Sequence, residues 1–295
     1  MLKNDKKMAI KMNQHAQTAT HRASATRLRP VTGRHNARLK DLRQAFRRAK
    51  LTSDGECAIE GVKLIEEALR HSREVVTIFF SESARPRADK LMPQISERIE
   101  TLVLPDALFK SIAPSETPQG VAALVKLRAF SIEQLLDRAP AGPLVAVSGL
   151  QDPGNLGTIL RSAEAFGAAG VFLTEGTVSP YNSKVLRGSA GSIFRLPFVR
   201  ISSAELIPLL RARVIRMLAT SSHKGTSIAE ANWTLPLAIF IGNEGAGLPR
   251  EILHQMDETL VIQQAEPVES LNAGVAASIV LYEAARNKVK SKKSD

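Results

Sequence analysis

A single cysteine, Cys57, stands in the 295 residues. A lone thiol forms no internal disulfide, which fits a reducing compartment. No His-rich context surrounds it, so it reads as a buried residue rather than a nucleophile. No apolar run approaches the ~20 residues that span a bilayer, and no apolar signal core lies near the N-terminus. A soluble, cytoplasmic protein is expected. Familiar catalytic signatures are missing as well. Asp152–Gly157 offers Gly-x-x-Gly but not the Gly-x-Gly-x-x-Gly of dinucleotide binding. There is no Walker A loop, no His-Glu-x-x-His and no Cys pair at zinc spacing, so no metal is expected. Gly188-Ser189-Ala190-Gly191 has the wrong spacing for a nucleophile elbow.

Acidic residues are nearly absent from residues 1–50, where 14 Lys and Arg meet only Asp5 and Asp41, a charge of +12. The whole chain carries 40 Lys and Arg against 29 Asp and Glu, or +11, so the remainder, with 26 against 27, is −1. The basic character belongs to the front of the chain. Contact with a polyanion is the natural use of such a segment. A solvated tail and an organellar targeting peptide are the competing readings. Continuation of the basic run into a helix favours nucleic acid.

The length suits two domains, each with a buried core. Residues 1–33 lack apolar periodicity and read as a basic, disordered arm. From Asn36 to Lys50, Leu39, Leu42 and Phe46 recur at helical spacing among Arg38, Lys40, Arg43, Arg47 and Arg48, an amphipathic basic helix. Residues 34–128 alternate strands (around Ala58-Ile59, Val75–Phe80, Ile99–Leu104 and after Gly120) with helices, the first over Val62–His71. That is a small α/β domain of two or three layers. Residues 129–142 read as a linker with one short helix.

A second α/β domain spans 143–295. Strands are expected at Leu144–Val147, Gly170–Thr174, Val214–Ala219, Leu237–Ile241 and Thr259–Ile262, with Phe194–Val199 extended. Helices are expected after Pro153, over Asn182–Ser189 and Ala204–Arg211, from Pro249 as first residue, and from Ser270-Leu271-Asn272 to about Lys290. In the last helix Leu271, Val275, Ile279 and Tyr282 share one face. Repeated β-loop-α units imply a mostly parallel sheet, which binds ligands outside the carboxyl ends of its strands. Three polar, glycine-bearing loops sit there: Asn155 with Arg161, Asn243 with Glu244, and Ser270 with Asn272. Taken singly, Asn155 and Ser270 also suit helix caps, Arg161 a surface residue and Glu244 a turn carboxylate. Their order around one set of strand ends argues for catalysis.

These loops resemble the three motifs of the SpoU (TrmH-like) branch of the SPOUT RNA methyltransferases. Asp152-Pro153-Gly154-Asn155-Leu156-Gly157-Thr158-Ile159-Leu160-Arg161 is similar to the first, and Ile241-Gly242-Asn243-Glu244-Gly245-Ala246-Gly247-Leu248 to the second. Glu269-Ser270-Leu271-Asn272-Ala273-Gly274-Val275-Ala276 is similar to the third. The likeness covers residues 143–287. Residues 37–126, through Ile59-Glu60-Gly61 and Pro118-Gln119-Gly120-Val121, resemble more weakly the RNA-binding domain of kink-turn type that often precedes it. Gln263-Gln264 departs from the family, which has proline and a small or apolar residue there.

The resemblance implies a deep trefoil knot, a homodimer through the C-terminal domain, and bound S-adenosylmethionine. The reaction implied is methyl transfer to a ribose 2′-hydroxyl of RNA, most naturally ribosomal RNA given the two-domain build. A tRNA substrate and a non-catalytic RNA-binding protein on the same scaffold are the alternatives. The catalytic set carried over is Asn155, Arg161, Glu244, Ser270 and Asn272, with Arg161 acting at the hydroxyl and Asn155, Ser270 and Asn272 orienting it. Thr220, Gly242, Ile262 and Leu271 would hold the cofactor.

Overall fold

The computed structural model describes residues 27–291 other than Thr32, Arg34, Ser72, Arg73, His223 and Glu269. Residues 1–26 of the basic arm and Glu269 of the third motif thus lie outside the described residues. Between Leu127 and Arg128 the chain divides into two compact units, each with its own sheet.

In the first unit, helix α1 (Ala37–Arg48) begins where Asn36 Oδ1 accepts the Leu39 amide, a side-chain cap for an otherwise free helix donor. Leu39, Leu42 and Ala45 form its buried face. The sheet has the order β1-β4-β3-β5-β2, with β1 at Arg29–Pro30, β2 at Glu56–Glu60, β3 at Glu74–Ser81, β4 at Glu100–Leu104 and β5 at Val121–Lys126. Strand β5 is antiparallel to β2 and β3, while β3 and β4 are parallel. Pleat alternation sends Ala58, Phe79, Leu102, Leu104, Ala122 and Leu124 to the side of α1 and Phe109 of α4 (Asp106–Lys110). The residues between them, including Ile59, Ile78, Phe80 and Ala123, turn to the other face, where α2 (Val62–His71) and α3 (Arg85–Leu91) pack. The unit is three-layered.

The end of the expected disordered arm is ordered instead. Leu28 and Val31 are buried, Arg29–Pro30 pairs with β4, and Thr101 Oγ1 donates to the Arg27 carbonyl at 2.6 Å. A two-residue edge strand leaves too short a signal for periodicity to show.

In the second unit, seven strands lie in the order β10-β12-β9-β11-β6-β7-β8, and every pairing is parallel. They are β6 (Leu144–Val147), β7 (Gly170–Leu173), β8 (Phe198–Arg200), β9 (Arg216–Ser221), β10 (Thr226–Ser227), β11 (Leu237–Ile241) and β12 (Glu258–Val261). Strands β6, β7 and β11 are buried at every position, as continuous apolar runs covered on both faces should be. Helices α5 (Ile132–Leu136), α8 (Ser203–Ala212) and α9 (Arg250–Leu253) cover one face, through Leu136, Leu206, Leu210 and Ile252. Helices α6 (Pro153–Ala165), α7 (Ser183–Gly188) and α10 (Ala273–Ser291) pack together, α6 touching both of the others.

Several expectations shift. The segment 129–142 is part of this core, not a linker, because Leu135, Leu136 and Ala139 are buried against Leu144 and Phe172. Phe194–Val199 is not one extended run: Ser192–Phe194 is a turn of 3-10 helix after Gly191 (φ 92°), and β8 starts past Pro197. Strand β9 starts at Arg216, since Val214 is a turn residue with φ 55°. Pro249 caps α9 from outside rather than opening it, and α9 is one turn of four residues. In α10 the buried face is Ala273, Ala277, Val280, Leu281 and Ala284, whereas Val275 and Tyr282 are 47% and 53% exposed.

Cys57 lies on β2 with no exposed surface, and burial pushes its thiol up to about 12. The thiolate is the reactive form. The folded protein is therefore expected to leave Cys57 unmodified by a thiol reagent at pH 8 and to react fully in denaturant; rapid native-state labelling would contradict the burial.

Candidate active site

Strand β6 is followed on one side by β7 and β8, while β11 and β9 lie on its other side. The order reverses between β6 and β11, and the crevice outside such a switch point is where open α/β sheets receive ligands. The loops leaving these strands are tied directly. Asn243 Nδ2 donates to the Gly149 carbonyl at 2.8 Å, and the Ser148 amide donates to the Ile241 carbonyl at 2.9 Å.

Asn243 also shapes its own loop. Its Oδ1 accepts the amides of Gly245 and Ala246 at 2.9 and 3.2 Å, and its backbone exchanges hydrogen bonds with Gly247. The hairpin-like closure brings Gly247 and Leu248 against Gly242, where an added Cβ would stand 2.3 Å from the Gly247 carbonyl carbon. No side chain fits at position 242. The sequence motif contained Asn243, but its structural role was hidden because its partner, Gly149, is 94 residues away.

Helix α6 is capped by Asp152, whose Oδ1 accepts the Asn155 amide at 2.8 Å. Asn155 is therefore not the cap, and its side chain is free for other work. Its Nδ2 donates to Glu244 Oε1 at 2.9 Å, joining the first and second motifs. Asn155 itself is only 8% exposed. Helix α10 is capped by Asn272, whose Oδ1 accepts the Val275 amide at 3.1 Å. Ser270 stands two residues earlier, exposed.

Helices α6 and α10 lie along each other. A Cβ added at Gly274 would sit 3.2 Å from Asn155 Oδ1, Asn272 Oδ1 and Thr158 Cβ alike. One turn on, Ser162 and Ser278 share a hydrogen bond of 2.7 Å, and a further turn on Phe166 and Tyr282 meet edge to face with centroids 5.7 Å apart. The contacts step by about four residues on both helices, which defines a parallel pair in register. Glycine at 274 allows the close approach, and the first and third motifs meet there.

A cleft of about 270 Å³ opens beside this junction. Thr220, Gly242, Glu244, Ile262, Ser270 and Leu271 line it, together with Ser221, Ser222, Leu248 and Gln264. Thr220 is oriented by donating from Oγ1 to the Phe240 carbonyl at 3.2 Å. Gln264 Oε1 is buried and has no hydrogen-bond partner among the described residues, so a donor on a bound molecule would satisfy it. Arg161 is not in this cleft: it lies on the exposed side of α6, with no ion pair among the described residues. Among the described residues no group of three or more His, Cys, Asp and Glu is arranged to hold a metal ion. Nor is any helix among them long and apolar enough to cross a membrane.

Comparison with known proteins matches residues 143–282 to the model of the SpoU rRNA Methylase family and residues 36–123 to an MRM3-like substrate binding domain. A 23S rRNA guanosine 2′-O-methyltransferase of Bacillus subtilis, RlmP, is 31% identical over 86% of this chain and 98% of its own. The crystal structure of AviRb, a SpoU methyltransferase of Streptomyces viridochromogenes in complex with AdoMet, has a TM-score of 0.74 at 30% identity, covering 86% of this chain and 99% of that one. An AdoMet-bound rRNA methyltransferase from Sinorhizobium meliloti also has a TM-score of 0.74, at 29% identity, over 88% of this chain and 98% of that one.

The contact at Gly242 yields a direct expectation. Gly242→Ala forces the loop away from its backbone partner, and overpacking of this kind costs about 1–3 kcal/mol. Chemical denaturation should show that loss in the second unit, and unchanged stability would mean the loop is looser than the contacts state.

Proposed function

The chain belongs to the SpoU rRNA methylase family, and we propose that it transfers a methyl group from S-adenosylmethionine to a ribose 2′-hydroxyl of ribosomal RNA. The observation that carries this reading is that the second and third motif loops line one cleft and the first is joined to them there, with Asn155 bonded to Glu244 and packed with Asn272 around Gly274.

The cleft suits the cofactor. Ile262, Leu271 and Leu248 offer apolar walls for a nucleoside, the bare backbone at Gly242 admits close approach, and Gln264 Oε1 waits for a donor. When bound, the sulfonium supplies an activated methyl group. The chain's own residues then have positioning and electrostatic tasks. Asn155, held by Glu244 and shielded from water, presents a fixed amide beside the cleft. Ser270 and the capped turn at Asn272 close the side facing α6. Arg161 has the role of a local positive field that stabilises the hydroxyl oxygen as it loses its proton.

Arg161 reaches such a role through a homodimer. In a parallel pair with contacts at Ser162 and Ser278, the residue before the one and the residue after the other project to the same side. Arg161 therefore points where Val275 and Ile279 point, on the face where α10 leaves Val275 and Tyr282 exposed. An exposed apolar patch of this kind suits a subunit contact. The trefoil knot is supported by the chain path. Strand β12 pairs on the outer side of β9, yet α10 lies along α6, so residues 262–272 recross the strand ends beside the loops that follow β9 and β11.

Ribosomal RNA is favoured over tRNA because a substrate-binding unit precedes the catalytic one and RlmP, similar over nearly its whole length, is named for methylating 23S rRNA. Methylation mapping by primer extension and mass spectrometry, on ribosomal RNA and tRNA incubated with the protein, tests the reading. A single new ribose methyl in ribosomal RNA is expected; methylation confined to tRNA would move the substrate, and none in either would favour a binding protein. Arg161→Ala should lower turnover by roughly 100-fold or more, the scale of losing one preorganised stabilising group. Calorimetric S-adenosylmethionine binding and thermal stability should be unchanged. Near-normal turnover would shift the task to the Ser270–Asn272 loop.

A further inference from the structure

Surface cations of this chain are commonly paired: Arg70 with Glu67, Arg195 with Glu164, Arg216 with Glu258. Helix α1 differs. Arg38 meets the buried carboxylate of Glu56 at 3.2 Å, with Asp41 and Asp54 also within 4.0 Å. The side chains of Lys40, Arg43 and Arg47 make no ion pair or hydrogen bond among the described residues. At 100° per residue, spacings of three and four place them within about 60° of arc on one face of the helix. Lys50 follows just past the left-handed Ala49 that ends it. From Lys40 to Arg47 the row spans about 10 Å at 1.5 Å per residue.

A plain surface helix accounts for part of this. Cations in the last turn stabilise the helix dipole, and Arg47 and Arg48 are there. Lys40 and Arg43 are not, and on a stability argument alone an uncompensated row of like charge is unfavourable. A basic helix can also bind a membrane surface, but only by inserting its apolar face. Here Leu39, Leu42 and Ala45 are consumed by the core of the first unit. What remains presented is charge without apolar surface, on a rigid element. That combination suits a chain of regularly spaced phosphates.

We propose that the Lys40, Arg43 and Arg47 face of α1, followed by Lys50 just past the helix end, is a phosphate-tracking surface for the RNA backbone, fixing the substrate on the first unit independently of sequence. The inference rests on the function proposed above for its choice of RNA as the polyanion. It also relocates the basic character seen in the sequence: part of it lies on a folded helix, whose apolar face the first unit needs, rather than in a detachable tail.

The test uses the full-length protein with Lys40→Gln, Arg43→Gln and Arg47→Gln combined. A control combines Arg85→Gln, Arg87→Gln and Lys90→Gln, which removes the same charge from exposed positions on α3, where Arg85 stands about 140–160° of arc from Arg87 and Lys90 and the three form no single row. Filter binding of a ribosomal RNA fragment is measured across a salt series, and methyl transfer at saturating RNA beside it. Each lost phosphate contact reduces the log–log salt slope by roughly 0.7–0.9, so the α1 variant should lose about 2–3 and the control almost nothing. Turnover at saturation should be unchanged in both, since none of these residues lines the cleft. An unchanged slope in the α1 variant, or an equal loss in the control, overturns the proposal. If the α1 slope falls while no variant, nor the parent, methylates RNA, the surface stands and the catalytic reading fails.

Discussion

The close approach of α10 to α6 is the constraint on which the catalytic unit depends. Both helices follow loops that carry polar groups, and neither loop alone makes a site. Gly274 permits the contact because nothing larger fits without displacing Asn155, Asn272 and Thr158, each 3.2 Å from where a Cβ would stand. The Ser162–Ser278 hydrogen bond and the Phe166–Tyr282 contact then hold the pair in register over two further turns. Substituting Gly274 would therefore disturb two motifs at once, although the residue carries no functional group.

The parallel sheet supplies the other half of the arrangement. Because β6 and β11 are neighbours with opposite onward directions, their outgoing loops meet above the sheet, joined by Asn243 and Gly149. Glu244 follows Asn243 and is thus delivered to Asn155. The carboxylate is exposed at the surface and the amide is buried, so the pair carries an ordering role at the edge of the cleft. Exposed polar contacts add little to global stability. Their value here is geometric.

The sequence made the architecture legible where the signal is local. Continuous apolar runs such as Leu144–Val147 and Leu237–Ile241 are strands at the expected residues, and the Val62–His71 helix also matches. Boundaries failed where a long-range partner decides them. Arg29–Pro30 is a strand only because β4 is beside it, and the 129–142 segment is core only because Leu135 and Leu136 find Phe172. In the site, Thr220, Gly242, Glu244, Ile262, Ser270 and Leu271 share one cleft, and Asn155 and Asn272 flank it. Arg161 does not, since helical periodicity states that it is on α6 but not which side is left uncovered. The roles of Asp152 and Asn272 as caps follow local rules and were readable in principle; those of Asn243 and Gln264 depend on contacts across the fold.

Charge and chemistry are separated along this chain. The body after residue 50 is nearly neutral at −1, while residues 1–50 carry +12. A neutral body leaves the cleft free to bind a sulfonium-bearing cofactor without repelling it. On the reading proposed above, a cationic front end carries the electrostatic attraction to RNA, which is strong but independent of sequence. Ionic strength should therefore act mainly on RNA capture and little on the catalytic step, because salt screens exposed charges far more than partly buried contacts such as Asn155–Glu244. Sequence selection, in turn, cannot come from the phosphate-facing row of α1. It must arise where base edges or RNA shape meet the protein.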